Sequence, residues 1–117
     1  MTQDKFLDAY IECALWSSTD DDGEPLDKNY SASDLSPDAL LVMTEDCHVF
    51  QRLNLILLHN LNDEQCGHDF WLSRNGHGSG FWDRELPGDV GEKLTEAAHF
   101  FRGCNLFVTP SGMIEII

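Results

Sequence analysis

The sequence predicts a single α+β domain in the order α-α-β-β-α-β-β, with a small antiparallel sheet packed on helices. Three observations predict it. Two long stretches carry apolar residues at three- and four-residue spacing, the mark of amphipathic helices. The period then changes around a glycine-rich segment flanked by aromatic residues. Strand-like and helix-like stretches are segregated, with no regular β-α-β alternation. A chain of 117 residues suits one domain, spanning 1–117.

The first helix is expected over Asp4 to Ser17, where Phe6, Tyr10, Cys13 and Ala14 share a face that Leu7, Ile11, Leu15 and Trp16 widen. Thr2 is its expected N-cap. Residues 20–35 read as an acidic, unstructured connection that Leu26 and Tyr30 pin to the body. Ser36-Pro37 starts the second helix, with Ser as N-cap and Pro at the first position. That helix is expected to reach about His59. Its end, Leu55-Ile56-Leu57-Leu58, is apolar all round. Burial within the fold is the expectation there, and a homodimer through Leu55, Ile56 and Leu58 the alternative.

Asn60 to Gly67 reads as a loop. Two strands, Asp69 to Arg74 and Phe81 to Arg84, then flank Asn75-Gly76-His77-Gly78-Ser79-Gly80, whose glycines suit a hairpin. Asp89 and Glu92 form a capping box for the third helix, which runs to about Phe101 and ends at Gly103 as C′. Asn105 to Thr109 and Met113 to Ile117 are two more strands, joined by Pro110-Ser111-Gly112.

Charge is the strongest compositional signal. The chain holds 21 acids against 7 Lys and Arg, a net charge of -14. Residues 1–51 carry twelve acids and two bases, and residues 52–117 nine and five. That balance argues against direct nucleic-acid binding, which draws its affinity from clustered Lys and Arg. It favours a protein partner with a basic surface. The candidate partner-binding set is Asp20, Asp21, Asp22, Glu24 and Asp27, with Asp34 and Asp38 beside the second helix. No apolar run approaches the length of a membrane helix. Met1 to Asp8 has a charged start and no apolar core, so no secretory signal is expected, and a cytoplasmic protein with free thiols is the default.

The segment from His68 to Arg84 is the richest in chemistry. His68, Asp69, Arg74, His77, Asp83 and Arg84 form an alternative site for acid–base or metal chemistry. Gly-His-Gly-Ser-Gly is not a nucleophile elbow, and these glycines would join strand to strand, where no helix N-terminus receives a phosphate. Cys66 and His68 make one short ligand pair, with His77 further on. Structural zinc wants two such pairs, so neither a metal nor another cofactor is expected. The structural reading leads: glycines make the turn, aromatics build the core, and the Asp and Arg residues brace it.

Several blocks carry a resemblance. They are Ala14-Leu15-Trp16-Ser17-Ser18 before the acidic loop, Tyr30-Ser31 to Asp34-Leu35-Ser36-Pro37, His68-Asp69-Phe70-Trp71-Leu72 to Phe81-Trp82-Asp83-Arg84, and Gly91 to Ala98. Together they resemble a group of small acidic proteins encoded by bacteriophages and related mobile elements. Leu55 to Leu58 departs from that pattern, where a more polar helix end is expected. The resemblance implies no catalytic residue. It implies a context in which a small acidic protein binds and inhibits a host nucleic-acid-handling or defence protein, as anti-restriction and anti-CRISPR inhibitors do by acting as nucleic-acid mimics.

Overall fold

The computed structural model describes residues 4–77 and 79–117. The elements in chain order are α1 (Lys5–Ser17), α2 (Leu26–Asn29), a 3-10 turn (Ala32–Asp34), α3 (Pro37–Leu53), α4 (Leu55–Leu58), α5 (Asp63–Arg74), a second 3-10 turn (Phe81–Asp83), α6 (Val90–His99), β1 (Leu106–Val108) and β2 (Ile114–Ile116). Helices dominate. The sheet is one antiparallel pair, with Leu106 opposite Ile116 and Val108 opposite Ile114. Among the described residues, no helix is long and apolar enough to cross a membrane.

The α1 and α3 segments form as their patterns require. Asp4 caps α1, its side chain accepting from the Leu7 amide at 3.1 Å. The expected cap Thr2 lies outside the described residues. Ser36 caps α3 with Pro37 at its start, accepting from the Ala39 amide at 3.0 Å. The two final strands appear within their expected bounds.

The largest difference lies at residues 69–84, where helix replaces hairpin. Asn62 caps α5, accepting from the Gln65 amide at 2.8 Å, and Asp63 and Glu64 sit in its first turn. Cys66, Gly67 and all of Asp69 to Arg74 are buried. A helix enclosed on nearly every side loses its apolar–polar period, and a short apolar run then reads like a buried strand. Asn75-Gly76 ends this helix, with Gly76 at φ 65. Gly78, one of the expected hairpin glycines, lies outside the described residues.

Gly67 explains how α5 reaches the core. A Cβ there would lie 2.0 Å from the Phe6 carbonyl oxygen on α1. The missing side chain lets the two helices touch backbone to backbone. Phe6, Tyr10, Phe50, Phe70, Trp71 and Phe81 fill the space they enclose. Phe50 and Phe70 stack with centroids 4.1 Å apart, and Trp71 meets Tyr10 edge-on at 5.4 Å.

Four further expectations are corrected. The second helix breaks at Asn54, whose side chain donates to the Phe50 carbonyl at 2.8 Å and turns the chain out of line. Leu55 and Ile56 are therefore exposed rather than buried, Ile56 at 91%. The connection 20–35 is not unstructured: it holds α2 and a 3-10 turn, with Leu26 buried and Tyr30 packed on the core as expected. The Asp89–Glu92 capping box does not form, because Asp89 makes no side-chain cap bond and pairs with Lys93 at 3.2 Å instead. After α6, the left-handed position falls on Arg102 at φ 65 rather than on Gly103.

The Gly67→Ala variant should lose about 1–3 kcal/mol of stability in urea denaturation, because overpacking outweighs the gain in helix propensity. The Arg74→Met variant, which leaves Asp46 and two carbonyls without their donor, should lose about 3–5 kcal/mol by the same measurement.

Candidate functional site: two clefts beside the acidic loop

The segment from Ser18 to Tyr30 is folded by its own polar groups. Asp20 accepts from the Asp22 amide at 2.9 Å and the Glu24 amide at 3.0 Å. Backbone bonds close the loop between Asp20 and Glu24 and between Ser18 and Leu26. Each flank of this segment borders a cleft.

The first cleft has a volume of about 560 Å³ and lies on the outer side of the α1–α5 pair. Glu12 and Trp16, one helical turn apart on α1, form one wall. Glu64, Gln65 and His68 of α5 face them, and Asp27 and Arg84 also line it. The Trp16 ring is 58% exposed and lies 6.1 Å from the His68 ring. The Arg84 charge is already answered, because its Nε and Nη2 donate to both Asp69 carboxylate oxygens at 3.0 and 2.9 Å. That bond is the main reason the Arg84 pKa is raised. The remaining side chains make this cleft acidic and partly aromatic.

The second cleft, also about 560 Å³, runs between Thr19 to Asp22 and Tyr30 on one side and Leu106 to Pro110 on the other. Asp21 and Asp22 are exposed along it.

The expected partner-binding residues therefore divide. Asp20 and Asp34 hold local turns, the latter by accepting from the Ser31 amide at 2.9 Å. Glu24 pairs with Lys28 at 3.0 Å on the surface. Asp21, Asp22, Asp27 and Asp38 are exposed. Glu12, Trp16, Glu64 and Gln65 were not singled out by sequence. Their signal was the position of Glu12 and Trp16 one turn apart, masked by the apolar neighbours of Trp16.

Of the alternative site from His68 to Arg84, the structure brings His68, Asp69 and Arg84 together. Asp69 is buried beneath Arg84, with His68 Nδ1 3.8 Å away. The Asp83 carboxylate accepts from the Gly80 amide at 2.9 Å. His77 is exposed, its amide donating to the Leu72 carbonyl at 3.1 Å. Arg74 points into the core instead. Among the described residues, no three His, Cys, Asp or Glu side chains converge as a metal site requires. The cysteines are unpaired. Burial, followed by the Asp69 charge, pushes the Cys13 and Cys66 thiols up to about 12, so neither is a thiolate nucleophile near neutrality.

Comparison with family models, with curated proteins and with solved structures finds no match.

The raised thiols set an alkaline limit. Each folded-state pKa lies above the ordinary value of 9.0, so the folded state holds its proton more tightly. Their contribution is complete below pH 9 and is lost as pH rises from 9 towards 12. Urea midpoints should fall across that window, to which burial of Tyr10, Cys47 and Cys104 also contributes, and the double variant Cys13→Ala, Cys66→Ala should lessen the fall. An equally steep fall in that variant would assign it to other groups.

Proposed function

We propose that the chain is a non-enzymatic binding protein that docks its acidic face on a basic surface of a host nucleic-acid-handling or defence protein and inhibits it. One observation carries this reading. Four of the seven cations are paired within the molecule: Arg74 with Asp46, Arg84 with Asp69, Lys28 with Glu24 and Lys93 with Asp89. The exposed carboxylates of the clefts are thus left in excess. Carboxylates so presented can replace phosphates in a basic groove, and the field accelerates encounter. The resemblance to small acidic phage proteins fits the same context and a host-cell cytoplasmic setting.

Affinity capture from host lysate should recover a basic, nucleic-acid-binding protein that added DNA or RNA displaces. Capture should weaken between about 0.1 M and about 1 M salt, as the Debye length falls from about 10 Å to about 3 Å. Charge reversal at Asp21, Asp22 and Asp27 should abolish it. Recovery of no such protein, or capture indifferent to the reversal, would contradict the reading.

A second reading has its own observation. Leu53, Leu55, Ile56 and Phe100 are all exposed near the ends of α3, α4 and α6, with Phe100 at 80%. A homodimer would cover this surface, although Leu58 is already packed on the core. Light scattering across concentrations tests it, and a strict monomer removes it.

A further inference from the structure

The sheet has one closed edge and one open edge. On the outer side of β2, the Ser36 amide donates to the Ile114 carbonyl at 2.9 Å, and Leu35 bridges to Ile114 in parallel. That edge is covered. On the inner side, Asn105 and Ile117 exchange backbone bonds of 3.1 and 2.9 Å, and the Thr109 amide donates to Met113 at 2.8 Å. In an antiparallel ladder, alternate residues bond across the pair and those between direct their N–H and C=O the other way. Residues 105, 107 and 109 thus bond towards β2. Leu106, itself buried, and Val108, half-buried, direct their backbone groups outward on the side of the second cleft that both line, where no backbone partner is found among the described residues.

The second cleft runs along this open strand, and its far wall carries Asp20, Asp21 and Asp22. An added strand needs a spacing of about 4.8 Å and offers side chains alternately to each face. Pairing with a second copy of β1 would bring two such acidic walls together, which like charge opposes. A cationic strand would meet complementary charge instead.

We propose that the open edge of β1 accepts an extended, Lys- or Arg-bearing segment of the partner protein as a third strand, bonded to Leu106 and Val108 and flanked by Asp20 to Asp22. This rests on the reading of the chain as a protein that docks on a basic partner, and it specifies the form of the docked segment. Main-chain bonds would supply affinity without a fixed sequence, and the aspartates would select for charge.

The test uses the full chain and two synthetic peptides of about six alternating Lys and Val residues. One has an ordinary backbone, and the other carries N-methyl groups on alternate amides and the same charge. With the first peptide in excess, amide exchange at Leu106 and Val108 should slow by at least about tenfold, and the methylated peptide should bind about tenfold more weakly. Val108→Pro removes an outward donor without a ladder bond and should weaken binding of the first peptide similarly. Equal binding of both peptides, or unchanged exchange at both amides, would overturn the added strand while leaving acidic docking in place. Binding of neither peptide at low salt would count against both.

Discussion

The Arg74 guanidinium is enclosed by the structure it organises. Its side chain is 5% exposed. It donates to Tyr10 of α1, to Asp46 of α3, and to the Phe101 and Arg102 carbonyls just past α6, at 2.8–3.0 Å. Phe70 and Phe101 lie within 5.7 Å of its carbon centre. A charge taken out of water is costly unless its donors are all answered. Here they are answered only if three helices and the start of the final segment arrive together. The cation on α5 thus fixes the positions of α1, α3 and the end of α6 around a mainly aromatic core. The carbonyls it meets lie just past the C-terminus of α6, an end where positive charge is favoured.

Asp69 does the complementary work one turn earlier on α5. Fully buried and held by Arg84 at both oxygens, it ties the helix to the segment after the Phe81–Asp83 turn. Gly80 makes that approach possible, since a Cβ there would lie 2.3 Å from the Ser73 hydroxyl, and the Phe81 amide donates to the same oxygen at 3.1 Å. Two buried charges of opposite sign on one helix therefore take up Asp46, Arg84 and much of the polar content of the 68–84 block. The molecule divides its charges between those that hold the fold and those left on its surface beside the clefts.

That division was only partly visible in the sequence. Helices α1 and α3, the Ser36 cap of α3, the final strand pair and the pinning of the acidic loop by Leu26 could all be read from spacing and cap residues. Segment 69–84 could not. The apolar run Phe70-Trp71-Leu72 lacks a period because its helix is surrounded, and Asn75-Gly76 serves a helix end as readily as a hairpin. Asp69 and Arg74 were expected to brace a hairpin turn, because type and proximity in sequence do not reveal that the partner of Arg74 waits 28 residues away at Asp46. The acidic loop was legible as a charge cluster. The clefts on either side of it arise from tertiary packing, so the one-turn spacing of Glu12 and Trp16 was masked by apolar neighbours and Glu64 carried no local mark of its place in a cleft.

If the folding charges and the surface charges are separate populations, removing the second should not harm the first. Glu12, Asp21, Asp22 and Glu64 are all exposed. The deciding measurement is the urea midpoint of the variant Glu12→Gln, Asp21→Asn, Asp22→Asn, Glu64→Gln beside the parent chain. Relief of self-repulsion in a chain of net charge -14 predicts a midpoint equal to or above that of the parent. A midpoint corresponding to a loss of more than about 1 kcal/mol would contradict it, because these carboxylates would then belong to the fold and not to a surface kept for a partner.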